Sequence, residues 1–165
     1  MRKLIQILFL LSTSIIISSC GYQLRGSINI DGLDQVLIAG SSENEIARLL
    51  QQKLPGSRLI KNITEEKYPI IRIVNIQTSK RQLSVNSSGR ADEYEISKTL
   101  EYQLILPDGV KQTGNLSANA SYDFDESQMQ GTKEKEIIAN DSITSALTRK
   151  LVLRLKSALK ASRNQ

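Results

Sequence analysis

The side chains that most often carry out chemistry are scarce in this chain. Its 165 residues include no histidine and a single cysteine, Cys20. Without histidine, neither a Ser-His-Asp triad nor a Cys-His pair can form, and the commonest metal ligand is missing. One cysteine allows no intramolecular disulfide and no cysteine-rich zinc site. These exclusions favour a binding or structural role, and we expect no cofactor and no metal.

Acidic residues provide the remaining candidate for catalysis. Asp123, Asp125 and Glu126 cluster where a predicted strand ends. Paired carboxylates can hydrolyse glycosides or hold a metal ion through oxygen ligands. Turns and helix starts are also rich in acids for ordinary conformational reasons. We therefore expect this cluster to be structural and the chain not to be an enzyme.

The N-terminal segment has the pattern of a signal peptide. Arg2 and Lys3 precede a mostly apolar run from Leu4 to Ile17. The run is shorter than the roughly 20 residues that span a bilayer as a helix, and its basic flank is typical of secretion signals. The alternative is a buried N-terminal helix.

Cys20 ends this segment in a motif of its own. Ile17-Ser18-Ser19-Cys20 resembles the lipobox of bacterial lipoproteins, in which an aliphatic residue and two small residues precede the cysteine. We expect residues 1–19 to be removed and Cys20 to be acylated, because several acyl chains anchor a protein stably. Gly21, in place of an aspartate, favours the outer membrane. The alternative is a secreted protein with a free thiol.

The remaining chain, residues 20–165, has the length of one domain. Hydrophobic residues make up 39% of the full sequence and charged residues 24%, which excludes a polytopic membrane protein and a disordered chain. Loss of Arg2 and Lys3 lowers the net charge from +5 to +3. That excess is mild. We expect no nucleic-acid partner, because of the predicted location of the protein more than because of its charge.

The clearest pattern is a period of 2 on both sides of the turn Pro107-Asp108-Gly109. Most even positions are apolar and most odd positions polar, and before the turn Lys98 is the one break on the apolar side. The even set is Tyr94, Ile96, Leu100, Tyr102, Leu104, Leu106, Val110, Leu116, Ala118, Ala120, Tyr122 and Phe124. This alternation predicts an antiparallel hairpin with one dry and one wet face.

Other segments predict the rest of the sheet. The segment Asp34–Ala39 predicts a short buried strand, and Leu59-Ile60 is a second short strand or an extended link. The β-branched stretch from Ile70 to Val85 predicts a strand in which Val74, Ile76 and Thr78 share a face.

Two segments predict helices. The first is capped by Ser41 or Ser42, with Ser42 and Glu45 in a capping box, and ends at Pro55-Gly56. The second starts at Glu126 or Glu134 and ends near Lys160. Its apolar stripe is Ile143, Leu147, Leu151, Leu155 and Leu159, with Ile138, Ala146 and Ala158 beside it. Its last half is basic, which fits either a solvated face or a contact with phosphate groups.

The element order predicts an α+β fold. It is a two-layer sandwich, with two helices packed on one face of a mixed, mostly antiparallel sheet of about four strands.

The start of the mature chain resembles a known family. Cys20-Gly21-Tyr22-Gln23-Leu24-Arg25-Gly26 is similar to the beginning of the LptE family of lipopolysaccharide (LPS) assembly lipoproteins, whose members tend to begin Cys-Gly-aromatic-x-Leu-Arg. The element order matches that family over the whole mature chain. The resemblance implies a partner, the outer-membrane LPS-export barrel LptD, with this chain as a plug in its lumen on the periplasmic side.

The resemblance also implies contact with LPS. Lys133 lies at the strand–helix boundary and Arg90 follows the turn Asn86–Gly89, two places where the family has basic residues tied to LPS. The family's basic turn position can also align with Ser87, which leaves Arg90 as a displaced substitute. Alternatively, Lys133 is an exposed lysine at a helix start, paired with Glu134 or Glu136. Arg90 is then an ordinary loop arginine.

Two explanations of the wet sheet face remain open. It can be plainly solvated, or it can lie inside the polar lumen of a large barrel. The alternative function is an accessory lipoprotein of another outer-membrane assembly machine, which acts as an adaptor without binding LPS.

Overall fold

The structure is a computed structural model that describes residues 35–41, 43–63 and 67–163. The predicted signal peptide, Cys20 and the motif Cys20–Gly26 lie outside the described residues.

The described chain forms five strands and two α-helices in a single sheet-and-helix unit. In chain order they are β1 (Leu37–Ala39), α1 (Glu45–Lys53), β2 (Arg58–Ile60), β3 (Ile70–Val85), β4 (Ala91–Ile105), β5 (Lys111–Asp123), a 3-10 turn (Glu126–Gln128) and α2 (Met129–Arg163). The sheet order is β2-β1-β3-β4-β5, with β1 parallel to both neighbours and the other pairs antiparallel. The predicted α+β class is confirmed. The sheet has five strands rather than four because β2 pairs with β1.

One apolar core joins both helices to the same face of the sheet. Leu100 and Leu104 of β4 and Leu116 of β5 pack in the same cluster as Leu50 of α1 and Leu147 of α2. The predicted dry face is therefore confirmed for β4 and β5. Val110 is the exception: it lies in the turn before β5 and is 46% exposed. The stripe from Ile143 to Leu159 is also confirmed, since its five members are all buried. Within the described residues, both helices lie on this one side.

Lys98, the break in the dry face, has a partner beneath α2. Its Nζ donates a hydrogen bond to Thr144 Oγ1 at 3.1 Å. The Thr144 hydroxyl in turn donates to the carbonyl oxygen of Asn140 at 2.8 Å. A half-buried ammonium is tolerated here because its hydrogen-bonding capacity is partly met.

Bulges in β3 change which side chains share a face. The pairing with β4 shifts between Ile73 and Asn75, so Val74 falls in the bulge and is 52% exposed. Ile73 pairs with Tyr102 and Ile76 with Leu100, both on the helix side. The prediction that Val74 and Ile76 share a face is wrong, because the extra residue reverses the parity between them.

The start of α1 also differs from the prediction. Asn44 is the N-cap, and its Oδ1 accepts hydrogen bonds from the backbone N–H groups of Ile46 and Ala47 at 3.0 and 3.2 Å. Glu45 is thus the first helical residue and cannot act as the third residue of a capping box. Ser42 lies outside the described residues.

In the first half of α2, the buried residue is not the one that the apolar pattern predicted. Ile138 is 61% exposed, and its neighbour Ala139 is buried. The i+4 series continues back from Ile143 to Ala139. Ile138 is one residue before Ala139, which is a rotation of about 100° around the helix. The prediction that Ile138 lies beside the stripe is wrong.

The two ends of the sheet differ in how they are covered. One end, called the proximal end here, is marked by a row of paired residues across neighbouring strands: Leu37, Arg58, Ile70 and Ile105. The opposite end is called the distal end. Because β1 pairs only with residues 70–72 of β3, the distal half is a three-stranded ribbon ending in the turn 86–89. Only α2 covers that ribbon among the described elements.

A matched pair of substitutions tests the orientation of α2. We expect Leu147→Ala, at a fully buried position, to lower the free energy of unfolding by about 2–5 kcal/mol. Ile138→Ala, at an exposed position of the same helix, should change it by less than about 0.5 kcal/mol. Urea denaturation measures both. Equal losses would mean that the buried face of α2 is wrongly identified.

Candidate functional site

The sheet face opposite the helices, called the outer face here, is a polar surface built from three strands. Its side chains are Asn75, Gln77, Ser79 and Arg81 of β3, Glu95, Ser97, Thr99, Glu101 and Gln103 of β4, and Thr113, Asn115, Ser117, Asn119 and Ser121 of β5. The strands are 16, 15 and 13 residues long, whereas strands usually have about 3–10. The described helices leave this long face uncovered.

Hydrogen bonds fix side chains across the outer face. The Glu95 carboxylate accepts from Arg81 Nε and from Asn119 Nδ2, each at 2.7 Å, and thereby connects all three strands. Thr99 and Ser117 are hydrogen-bonded through their hydroxyls at 3.1 Å. The bonds from Arg81 and Asn119 lower the pKa of Glu95, since they stabilise the charged form. The face is therefore ordered, and near neutrality its charges largely compensate.

The proximal part of this face is apolar. Leu37, Ala39, Ile70 and Ile105 are buried there beside Tyr68. The sequence pattern missed this patch, because β1 and the start of β3 are apolar on both faces. The polar outer face is thus limited to the longer strands beyond it.

At the distal end, beneath α2, Lys80 packs against aromatic side chains at the edge of the core. Lys80 Nζ pairs with Glu136 at 3.1 Å and lies 4.8 Å from the ring centre of Tyr94 and 5.2 Å from that of Tyr122. Partial burial would lower the pKa of Lys80, but the nearby Tyr122 and Glu136 outweigh it and raise that pKa. Burial raises the pKa of Tyr122. Sequence reasoning missed this cluster, although Lys80 shares its parity with Ile76.

Arg90 lines an open cleft of about 450 Å³ at the distal end. Its Nη1 pairs with Glu126 at 2.9 Å, and both side chains are exposed. The other charged side chains of this cleft are Asp92, Asp123, Asp125 and Lys135. Four acids against two cations make the cleft a poor site for a free anion unless Arg90 is released from its ion pair.

Lys133 is exposed on the first turns of α2 and does not line this cleft. Of its two alternative partners, Glu134 and Glu136, the second is paired with Lys80 instead. Lys133 forms no ion pair with the part of the chain that the structure describes. It is therefore accessible to an external anion.

The acidic cluster that suggested catalysis has structural roles. Asp125 caps the 3-10 turn, accepting from the Ser127 backbone at 2.8 Å, and Asp123 pairs with Lys135 at 3.2 Å. Hydrogen bonds from Ser127 lower the pKa of Asp125. Among residues 35–41, 43–63 and 67–163, no group of three or more acidic, cysteine or histidine side chains is arranged to hold a metal ion.

Neither helix of the described chain is both long enough and apolar enough to cross a bilayer. The fold and the outer face together define a small two-layer α+β domain with one polar sheet face that the described helices leave uncovered.

Comparison with known proteins identifies the family. A family model described as LptE, lipopolysaccharide-assembly, matches residues 28–155. This chain belongs to the LptE family.

Two curated relatives are named LPS-assembly lipoprotein LptE. The protein from Pectobacterium atrosepticum is 25% identical over 97 residues, which are 56% of this chain and 53% of that protein. The protein from Photorhabdus laumondii is 27% identical over 116 residues, which are 66% of this chain and 62% of that protein. The chain thus spans between half and two thirds of the length of these relatives.

Solved structures share the fold. Rare lipoprotein B from Shewanella oneidensis superposes with a TM-score of 0.64 at 18% identity, covering 79% of this chain and 99% of that one. Lipoprotein B from Nitrosomonas europaea superposes with a TM-score of 0.61 at 17% identity, covering 83% of this chain and 91% of that one.

The network around Glu95 predicts a dependence of stability on pH. Its pKa is lower in the folded than in the unfolded chain, so its contribution is complete above the ordinary value of 4.5 and is lost as the pH falls through the lower, folded value. Glu95→Gln should therefore lower the melting temperature at neutral pH and make it less sensitive to acid below pH 4.5.

Glu101→Gln is the matched control, because Glu101 lies on the same face and strand and has no side-chain hydrogen bond or ion pair within the described chain. Thermal unfolding followed between neutral and acid pH measures both. Identical pH profiles for the two variants would contradict the stabilising role of Glu95.

Proposed function

We propose that this protein is an outer-membrane lipoprotein that binds the LPS-export barrel LptD, fills part of its lumen, assists its assembly and contacts LPS during export. It has no reaction of its own in this proposal. Membership of the LptE family and the naming of its relatives for LPS assembly support it.

The outer face is the observation that carries the proposal. A barrel lumen is polar and wet, and a surface of hydroxyl and amide groups can exchange hydrogen bonds with water for hydrogen bonds with the barrel wall at little cost. An apolar face could not make that exchange. The wide, ordered and almost neutral face suits docking against a lumen.

Lipidation at Cys20 would hold the protein at the membrane. The motif Ile17-Ser18-Ser19-Cys20 supports this, and a thioether-linked diacylglycerol with an amide-linked acyl chain gives stable anchoring. The anchor places the domain on the periplasmic side of the outer membrane, where a barrel partner opens.

Lys133 and Arg90 are the proposed LPS contacts. Both are exposed at the distal end, and their charges pair well with phosphate and carboxylate groups. Lys133 has no competing partner in the described chain, whereas Arg90 must exchange its pair with Glu126. We therefore assign the larger contribution to Lys133.

Co-purification tests the barrel complex. LptD should be isolated with this protein from gently solubilised outer membranes as a stable pair. Ser97→Arg, in the middle of the outer face, should reduce the yield of complex at least tenfold by placing an unpaired charge in the interface. Ser145→Arg, on the exposed side of α2, introduces the same side chain on the helix layer and should reduce it less. Isolation with a different barrel would favour the adaptor function instead.

Binding of LPS distinguishes the two basic residues. Lys133→Glu should weaken binding about tenfold, as expected for loss of a charge-assisted hydrogen bond. Glu126→Gln should strengthen it, because it releases Arg90 and removes a negative charge from the cleft. Lys61→Glu, an exposed lysine at the end of β2, controls for net charge. Titration of LPS measures all three, and equal effects of Lys133→Glu and Lys61→Glu would contradict the assignment.

A further inference from the structure

The proximal end is where the chain enters the sheet. The backbone N–H of Leu37 donates to the carbonyl oxygen of Pro69 at 2.9 Å, and Leu37 lies in the row of Arg58 and Ile70. Cys20 precedes Leu37 by 17 residues, which span at most about 60 Å when extended. A lipid on Cys20 therefore keeps this end of the domain within reach of the bilayer.

The C-terminal part of α2 reaches the same end. Ser162 is hydrogen-bonded through its hydroxyl to the carboxylate of Asp108, in the β4–β5 turn. After Asp141 the sequence of α2 contains no acid. Its cations are Arg149, Lys150, Arg154, Lys156, Lys160 and Arg163.

Part of this basic run forms an amphipathic ridge. Arg149, Leu153, Lys156 and Lys160 follow one another at spacings of four, three and four residues, so they lie along one side of the helix. Leu153 is 55% exposed in the middle of the ridge. An exposed leucine flanked by cations is typical of helices that lie in a membrane interface.

Other elements add positive charge to this end. Lys53 is in the last turn of α1, Arg58 starts β2 and Lys111 starts β5. Asp108 is the only acid that the described residues bring to the proximal end, and it is hydrogen-bonded to Ser162 and to the Val110 backbone. The distal cleft, by contrast, has more acids than cations. Among the described residues, the two ends therefore have opposite net charge.

We propose that the proximal end is a membrane-docking surface that binds the anionic phospholipid headgroups of the bilayer carrying the anchor. The inference rests on the lipid anchor of the proposed function. Lys156 and Lys160 neutralise headgroup charge, and Leu153 inserts between headgroups. Each cation near an anionic surface favours docking by roughly fivefold. An acyl anchor alone leaves the domain free to rotate, whereas the cationic end gives it one orientation, with the acidic cleft directed away from the lipid.

A single fluorescent label measures that orientation. In acylated protein the Cys20 thiol is blocked, so an introduced cysteine provides one site for labelling. Ser157→Cys labels the exposed side of α2 beside the ridge, and Ser88→Cys labels the distal turn. The full mature lipoprotein is incorporated into phosphatidylcholine vesicles with or without phosphatidylglycerol. Energy transfer to a headgroup-attached acceptor reports how close each label is to the surface.

We expect phosphatidylglycerol to increase transfer from position 157 but not from position 88, and high salt to reverse the increase. Lys156→Glu with Lys160→Glu should lower the ratio of docked to undocked protein at least about twentyfold. Lys61→Glu with Arg72→Glu makes the same change in net charge in a cleft beside β1 and β3, outside α2, and should have less effect.

Transfer from position 157 that is equal in neutral and anionic vesicles, or unchanged by Lys156→Glu with Lys160→Glu, would overturn the docking surface. Failure of the anchor is a separate outcome, since mass spectrometry of the purified protein shows whether Cys20 is acylated. A protein without acyl chains that still approaches only anionic vesicles, through position 157, would refute the anchor and support the surface.

Discussion

The packing of α2 against one face of β4 and β5 is the contact on which the rest of the structure depends. The stripe from Ile143 to Leu159 meets the even-numbered side chains of two strands that are more than twice the common length. Two helices cannot cover both faces of such a sheet. The opposite face must therefore be polar or acquire a partner, and the alternation of period 2 provides the polarity.

That constraint leaves a chain without histidine with a long polar surface, which is where the proposed partner docks. On the outer face, Glu95, Arg81 and Asn119 connect three strands and hold their polar groups in place. An ordered surface loses less conformational entropy when it docks than a mobile one does. The same architecture separates the functions along the strands, with proposed lipid contacts at the proximal end and proposed LPS contacts at the distal end.

Much of this could be predicted from the sequence, because strong periodicity is a local property. The parity of β4 and β5 predicted their buried face, and the i+4 stripe predicted that of α2. Three features could not be predicted in this way. Val74 lies in a bulge, which alters parity without altering composition. Asn44 caps α1 because its own geometry, and not a motif at Ser42, satisfies the first amides. Thr144 and Thr148 are buried because they bond to carbonyl groups of the preceding turn.

The candidate site was less predictable than the fold. Cys20 stands out by motif, but it lies outside the described residues, and its acylation remains a proposal. Arg90 could be named from its turn, whereas its pair with Glu126 joins residues 36 positions apart that only the folded sheet brings together. The charge separation between the two ends likewise depends on topology, since Lys53, Lys111 and Lys160 are distant in sequence.

The accessibility of the outer face in the complex tests the central claim most directly. With the Cys20 thiol blocked by acylation, Ser117→Cys and Ser145→Cys each provide one thiol, on the outer face and on the helix layer. In the free protein both should react with a water-soluble maleimide. In the complex with LptD, the thiol at position 117 should become at least tenfold slower while that at position 145 changes less. Unchanged reactivity at position 117 in a stable complex would show that the outer face is not where the barrel binds.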